Sequence, residues 1–218
     1  LDRKYRDSAP RVIKNDKPTG AAYLFVGPGI HPLTVAGVFA AGRSGKELRE
    51  HMKHGYEAAR PSGWDPVERL KDQDLDGVMA EVLYSSLGIV LLNMKDIELQ
   101  QACVRVYNDW IAEFCAHNPQ RLIGIGLYTL GALPDVSEVE RCARVGLKGI
   151  LILASDTIEA SYSDERFDGL WQTCAETGLS VSLHKPVVSG MRLTAAMPTM
   201  ADLQIHVVHD VEQCLTRM

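Results

Sequence analysis

The sequence has no apolar run approaching the roughly 18 residues that a membrane span requires. Its longest candidates, such as Gly146 to Ala154, are short and include Lys148. This predicts a chain without a membrane partner. It also lacks an excess of positive charge: 23 basic residues stand against 28 acidic ones, a net charge of -5 over 218 residues. That is the wrong sign for holding a phosphate backbone, so nucleic acid is excluded as a partner. Cysteine is sparse and odd in number, with five spread widely over apolar positions of helical patterns, which argues against a disulfide framework. With no signal-peptide pattern at the start, a reducing cytoplasm is the expected location.

Several motifs are missing as well. Gly42-Arg43-Ser44-Gly45-Lys46 resembles a phosphate-binding loop only in part, because Ala40 replaces its first glycine and Glu47 the hydroxyl residue that would hold magnesium. Gly124-Ile125-Gly126 lies inside a strand pattern without a third glycine or a helix directly after it. No Gly-x-Ser-x-Gly elbow occurs, and the cysteines sit where a thiol is an inert small hydrophobe. Asp72, Asp74 and Asp76 alternate without the other ligands of a calcium loop and read as a solvated helix end.

What is present is an alternation of strands and helices from residue 63 onward. Asp65 followed by Pro66 and Glu68 predicts an N-cap, a first-turn proline and a capping box, with the helix stopping near Asp76-Gly77. Ala80 to Tyr84 reads as a strand. Lys95 to Asn118 carries an apolar stripe at Leu99, Cys103, Val106, Trp110 and Phe114. Then follow a strand (Leu122 to Tyr128), a helix from Asp135 to Gly146, and a strand (Gly149 to Ala154). A helix capped by Ser163 and stopped by Gly178 leads to a strand from Leu179 to His184, and Val208, Val211, Leu215 and Met218 mark a last helix.

Such repetition, one strand about every 25–40 residues, predicts right-handed crossovers and a parallel α/β sheet. Residues 1–62 are less regular, broken by Pro10, Pro18, Gly20, Gly27, Pro28, Gly29 and Pro32. They read as an insertion or hairpin region, with strands at Arg11 to Lys14 and Ala21 to Val26 and a polar loop or short helix from Gly42 to Arg60.

Ligands of parallel α/β folds lie at the carboxyl ends of the strands. Here those ends carry Tyr84-Ser85-Ser86, Tyr128-Thr129, Ala154-Ser155-Asp156 and His184-Lys185-Pro186. His184 ends an alternating strand where a neutral imidazole can point into a cleft and ligate a metal; the competing reading is a histidine bonded within a strand-to-loop turn. Lys185 either meets an acidic substrate or faces solvent. His51 with His54, and His206 with His209, share helical spacing; the first pair reads as a solvated polar face among Glu50, Lys53 and Glu57, and the second as a helix packing its other face.

The order of these segments resembles the amidohydrolase-2 group of the amidohydrolase superfamily, which includes relatives of aminocarboxymuconate-semialdehyde decarboxylase. The resemblance covers roughly residues 60–218. It rests on Gly63-Trp64-Asp65-Pro66, Ala80-Glu81-Val82-Leu83-Tyr84, Tyr107-Asn108-Asp109-Trp110, Pro119-Gln120-Arg121-Leu122-Ile123-Gly124, Tyr162-Ser163-Asp164 and Leu179 to His184, in that group's order. It implies a distorted (β/α)8 barrel of the TIM type and a divalent metal, expected to be zinc, serving a hydrolase or a non-oxidative carboxy-lyase. The substrate would be a small carboxylated or cyclic molecule.

The resemblance carries one metal ligand onto this sequence, His184. The group's His-x-His pair on the first strand, the acid/base residue on the sixth and the aspartate on the eighth have no counterpart, and no His-x-His occurs among the seven histidines. With a first residue of Leu1 and a last of Met218 inside an apolar pattern, the expectation is an internal segment holding strands two to five. Such a segment would have an incomplete metal site and no activity alone. Tyr84, Ser85, Tyr128, Ser155 and Lys185 are the expected substrate-side residues, and relatives imply a homo-oligomer. The alternative is a non-catalytic half-barrel serving as a binding or assembly partner. An open flavodoxin-like domain would want an anion site at a helix N-terminus, which no glycine-rich loop supplies.

Overall fold

The computed structural model describes residues 1–16, 21–153 and 162–184. Its first elements are strands β1 (Arg11–Lys14), β2 (Tyr23–Gly27) and β3 (Ile30–Thr34), an antiparallel sheet in that order. The expected hairpin is therefore β1 and β2, with Arg11 opposite Val26 and Lys14 opposite Tyr23. The third strand was masked in the sequence by Gly29 and Pro32. Gly29 makes the turn at φ 72°. Pro32 falls where the pairing slips between Phe25 and Gly27, on an outer strand, so its missing N–H removes no ladder bond.

Helix α1 (Gly45–His51) follows. His51 is not solvated as its charged neighbours imply. It is buried, its Nε2 lies 3.0 Å from the Ala36 carbonyl oxygen, and its ring meets Phe39 edge-on. His54 is half exposed beside Glu57.

Helix α2 (Pro66–Asp76) forms as its sequence dictates. Asp65 accepts hydrogen bonds from the N–H groups of Val67 and Glu68 at 2.8 and 3.3 Å, and Gly77 ends the helix in the left-handed conformation, φ 69°. The capping box is not reciprocal. The Asp65 N–H already donates to the Pro61 carbonyl at 2.8 Å, and the Glu68 carboxylate turns to Lys71 instead. Asp72 and Asp74 pair with Arg60 and Arg121 at 2.5 and 2.7 Å.

Strands β4 (Glu81–Leu83), β5 (Leu122–Leu127), β6 (Gly149–Leu153) and β7 (Ser180–His184) build a second sheet, all parallel and in sequential order. Helices α3 (Ile97–Ala116), α4 (Ser137–Arg144) and α5 (Asp168–Thr177) lie between them in the chain. Four parallel strands with a helix between each pair curl into half of a TIM-like barrel. On the outer face, Ile150 and Ile152 pack with Val139, Cys142, Leu170 and Cys174. The alternate residues Ile125, Leu127 and Leu151 join Leu99, Val104 and the 3-10 segment Gly88–Asn93, where Ile30 of β3 also packs. A 3-10 turn capped by Asp164, rather than Ser163, leads into α5.

Helix α3 does not bury the stripe read from its apolar residues. Leu99, Cys103 and Phe114 are inside, but Val106 and Trp110 are 45% and 42% exposed. The buried face runs instead through Gln100, Val104, Asn108 and Ile111. Two polar side chains take core positions because open backbone groups need them. Gln100 donates to the carbonyls of Leu91 and Met94 at 3.0 and 3.2 Å and accepts from Thr129. Asn108 serves β5, which runs on past its partners in β4. Its Nδ2 donates to the Leu127 carbonyl at 3.0 Å and its Oδ1 accepts from the Leu127 N–H at 2.7 Å.

At the opposite end of the sheet, Glu81 receives both arms of Arg69, at 2.6 and 3.0 Å, and Nε2 of Gln73 at 2.7 Å. Burial alone would push its carboxyl up, but these donors prevail and hold it below the usual glutamate range. A carboxyl lowered on folding stabilises the fold above its ordinary pKa, and that contribution fades as pH falls through the lowered value. Glu81→Gln should therefore flatten the loss of thermal stability below about pH 4.3. Parallel melting profiles for the two proteins between pH 7 and pH 3 would count against this role.

Candidate functional site

The carboxyl ends of β4 to β7 define the mouth of the curl, and pairing register fixes which residues face it. His184 is level with Leu153, and Ser182 with Leu151. Because Ile150 and Ile152 point to the outer helices, Leu151, Leu153, Ser182 and His184 occupy the opposite, concave face. His184 is exposed there.

The residues expected at this mouth separate. The Tyr84 hydroxyl crosses the concave side from the end of β4 and lies 3.0 Å from Ser182 Oγ on β7. This bridge places Tyr84 one pleat below His184. Ser85 turns away to hydrogen-bond Tyr107, whose hydroxyl burial pushes up to about 12. Tyr128 is buried among the outer-layer residues Val139 and Phe167 and donates to the Asp135 carbonyl at 2.8 Å. Burial holds its hydroxyl protonated far above neutral pH. Thus Tyr84 and His184 come together on the concave face, whereas the hydroxyls of Ser85 and Tyr128 are engaged elsewhere. Ser155, Lys185, His206, His209 and the last helical stripe lie outside the described residues.

Ser182 is the residue that sequence reasoning passed over. The signal was the alternation Ser180-Val181-Ser182-Leu183-His184 itself, in which residues two apart share a face.

A catalytic zinc site takes about three protein ligands with an open position. Among the described residues no group of three or more His, Cys, Asp or Glu side chains gathers to hold a metal ion, so these residues do not fit such a centre by themselves. The four described cysteines offer no substitute. Cys103, Cys115, Cys142 and Cys174 are free and buried, and burial pushes the Cys115 and Cys142 thiols up to about 11 and about 12, leaving no thiolate at neutral pH. Among the described residues no helix is long and apolar enough to cross a membrane.

A family model described as amidohydrolase matches residues 29–211. The chain is 27% identical over 123 residues to a 2-amino-3-carboxymuconate-6-semialdehyde decarboxylase of Dictyostelium discoideum, covering 56% of this chain and 34% of that protein. Among solved structures it is similar to an amidohydrolase from Mycobacterium avium subsp. paratuberculosis, with a TM-score of 0.66 and 21% identity over 96% of this chain and 61% of the other. It is also similar to 5-carboxyvanillate decarboxylase from Sphingomonas paucimobilis, with a TM-score of 0.50 and 25% identity over 66% of this chain and 44% of that one. The chain thus spans between 34% and 61% of the lengths of these relatives.

Proposed function

The chain belongs to the amidohydrolase family, and from that premise we propose that it is the strand-two-to-five segment of a metal-dependent hydrolase or non-oxidative decarboxylase. In this reading residues 63–218 are barrel and residues 1–62 an insertion beside it. The observation that carries the reading is the placement of His184 at the carboxyl end of β7, on the concave face of four sequential parallel strands. His184 contributes one metal ligand, and the remaining ligands come from strands outside the 218 residues. Relatives that act on carboxylated substrates support a small carboxylic acid as substrate, with zinc as the expected metal.

One imidazole cannot hold a divalent ion tightly, since several ligands must converge. The 218-residue polypeptide alone should therefore show weak zinc binding and no turnover. Competition titration against a chelator, paired with decarboxylation and hydrolysis assays, tests this; one tight stoichiometric site with turnover would overturn it. The non-catalytic reading draws on a different observation. Leu75 on α2 and Met79 just before β4 are 77% and 86% exposed, as expected of a face that another element covers. Reading the parent gene on both sides separates the two. An upstream His-x-His and a downstream strand-end aspartate support the enzyme, whereas native start and stop codons at these ends support the assembly partner.

A further inference from the structure

Among the described residues, the hydroxyl bridge beneath His184 has more hydrogen-bonding capacity than it uses. Tyr84 and Ser182 each carry one O–H, and the 3.0 Å contact between them consumes one of the two. The other O–H is left to donate onto the concave face. Its surroundings are apolar: Leu153 lies level with His184, one pleat above Ser182, and Val82 precedes Tyr84 on the same side of β4. A single directed donor on an apolar floor matches a molecule with a flat hydrocarbon body and one acceptor oxygen at its end.

We propose that Tyr84 and Ser182 form the substrate-recognition pair of this site, in which Ser182 Oγ–H donates to the Tyr84 oxygen and the Tyr84 O–H donates to a carboxylate oxygen of a small planar acid. The order of donation follows from acidity, because a phenol is a stronger donor than an aliphatic alcohol and is strengthened by accepting a bond itself. Tyr84 is half exposed, so its proton is within reach of a ligand, while Ser182 sits deeper in the strand. The proposal rests on the reading of this mouth as a substrate site. It adds which residues select the substrate and which chemical feature they select.

The test is a magnetic-resonance titration of the 15N-labelled chain with benzoate, in EDTA so that no metal takes part, with toluene as the probe lacking an acceptor. Benzoate should shift the backbone signals of Tyr84, Ser182 and His184 saturably, and toluene should not. Tyr84→Phe should weaken benzoate binding about 5- to 10-fold, the loss of one hydrogen bond. Ser182→Ala should weaken it by only about 2- to 3-fold, because it removes the polarising partner and leaves the donor. Circular dichroism matched to the parent chain confirms that both variants fold.

No saturable binding, shifts that map elsewhere, unchanged affinity in Tyr84→Phe, or a larger loss in Ser182→Ala would each overturn the pair. Zinc added without EDTA separates this result from the metal reading. If the His184 ring signals ignore zinc while benzoate still binds through Tyr84, the metal reading fails and the recognition pair stands.

Discussion

Replacing Asn108 with alanine should cost about 3 kcal/mol or more of folding stability, read as a lowered urea midpoint with little change in slope. Asn108 is fully buried, and its amide satisfies both backbone groups of Leu127 and also donates to Glu138 Oε1 at 2.8 Å. Alanine leaves a buried N–H and a buried C=O without partners, at about 1–3 kcal/mol each. Against a total of about 5–15 kcal/mol for a domain, that is a large fraction. Asn108→Asp is the sharper test. It keeps the acceptor for the Leu127 N–H but sets a carboxylate against the Leu127 carbonyl and Glu138, so it should be no better than alanine. A loss below about 1 kcal/mol for alanine would mean that solvent reaches β5 beyond β4, contrary to the burial of Leu127.

Gly126→Val should destabilise by about 2 kcal/mol, although valine is the better strand former. A Cβ at Gly126 would lie 3.0 Å from Leu147 Cδ1, 3.1 Å from Cys142 Sγ and 3.2 Å from Asn108 Oδ1. Two further methyl groups deepen each clash. The leucine end can shift, but Asn108 is pinned by its bonds to Leu127 and cannot yield without losing them. The overpacking therefore outweighs a propensity gain of at most about 1 kcal/mol. Because both substitutions act on the same contact, Gly126→Val combined with Asn108→Ala should cost less than the sum by about 1 kcal/mol. Strict additivity in a double-mutant cycle would show that the valine is accommodated elsewhere.

These two positions also mark where sequence reasoning stopped. The parallel sheet was legible because its signals are local: Asp65, Pro66 and Gly77 bracket α2, and Gly178 ends α5 ahead of β7. Membership of the amidohydrolase family was legible in the order of short segments. The phase of α3 was not. An apolar stripe is drawn through apolar residues, and Asn108 and Gln100 are inside because of the backbone groups they meet across the fold, which no local pattern records. His51 escaped for the same reason, its partner being the Ala36 carbonyl 15 residues away.

Of the expected mouth residues, those on alternating strands were placed by period alone, as with His184. Side chains just past a strand end were not. Tyr84, Ser85 and Tyr128 all follow or end strand patterns, yet one points inward and the hydroxyls of the other two are held by Tyr107 and Asp135. The turn after a strand frees the side chain from the pleat, so its direction depends on what the following loop packs against.

The sequential order of β4, β5, β6 and β7 bears on how the chain acquires its shape during synthesis. Each strand pairs with the one made just before it, so every strand after β4 finds its sheet edge already present as it leaves the ribosome. Loop closures stay short, and the entropy of joining distant segments is spread over small steps. Asn108 fits this order: α3 is complete before β5 emerges, so the side chain that receives Leu127 is in place when that strand arrives. Growth by addition at one edge gives the half-barrel a direction in time as well as in space.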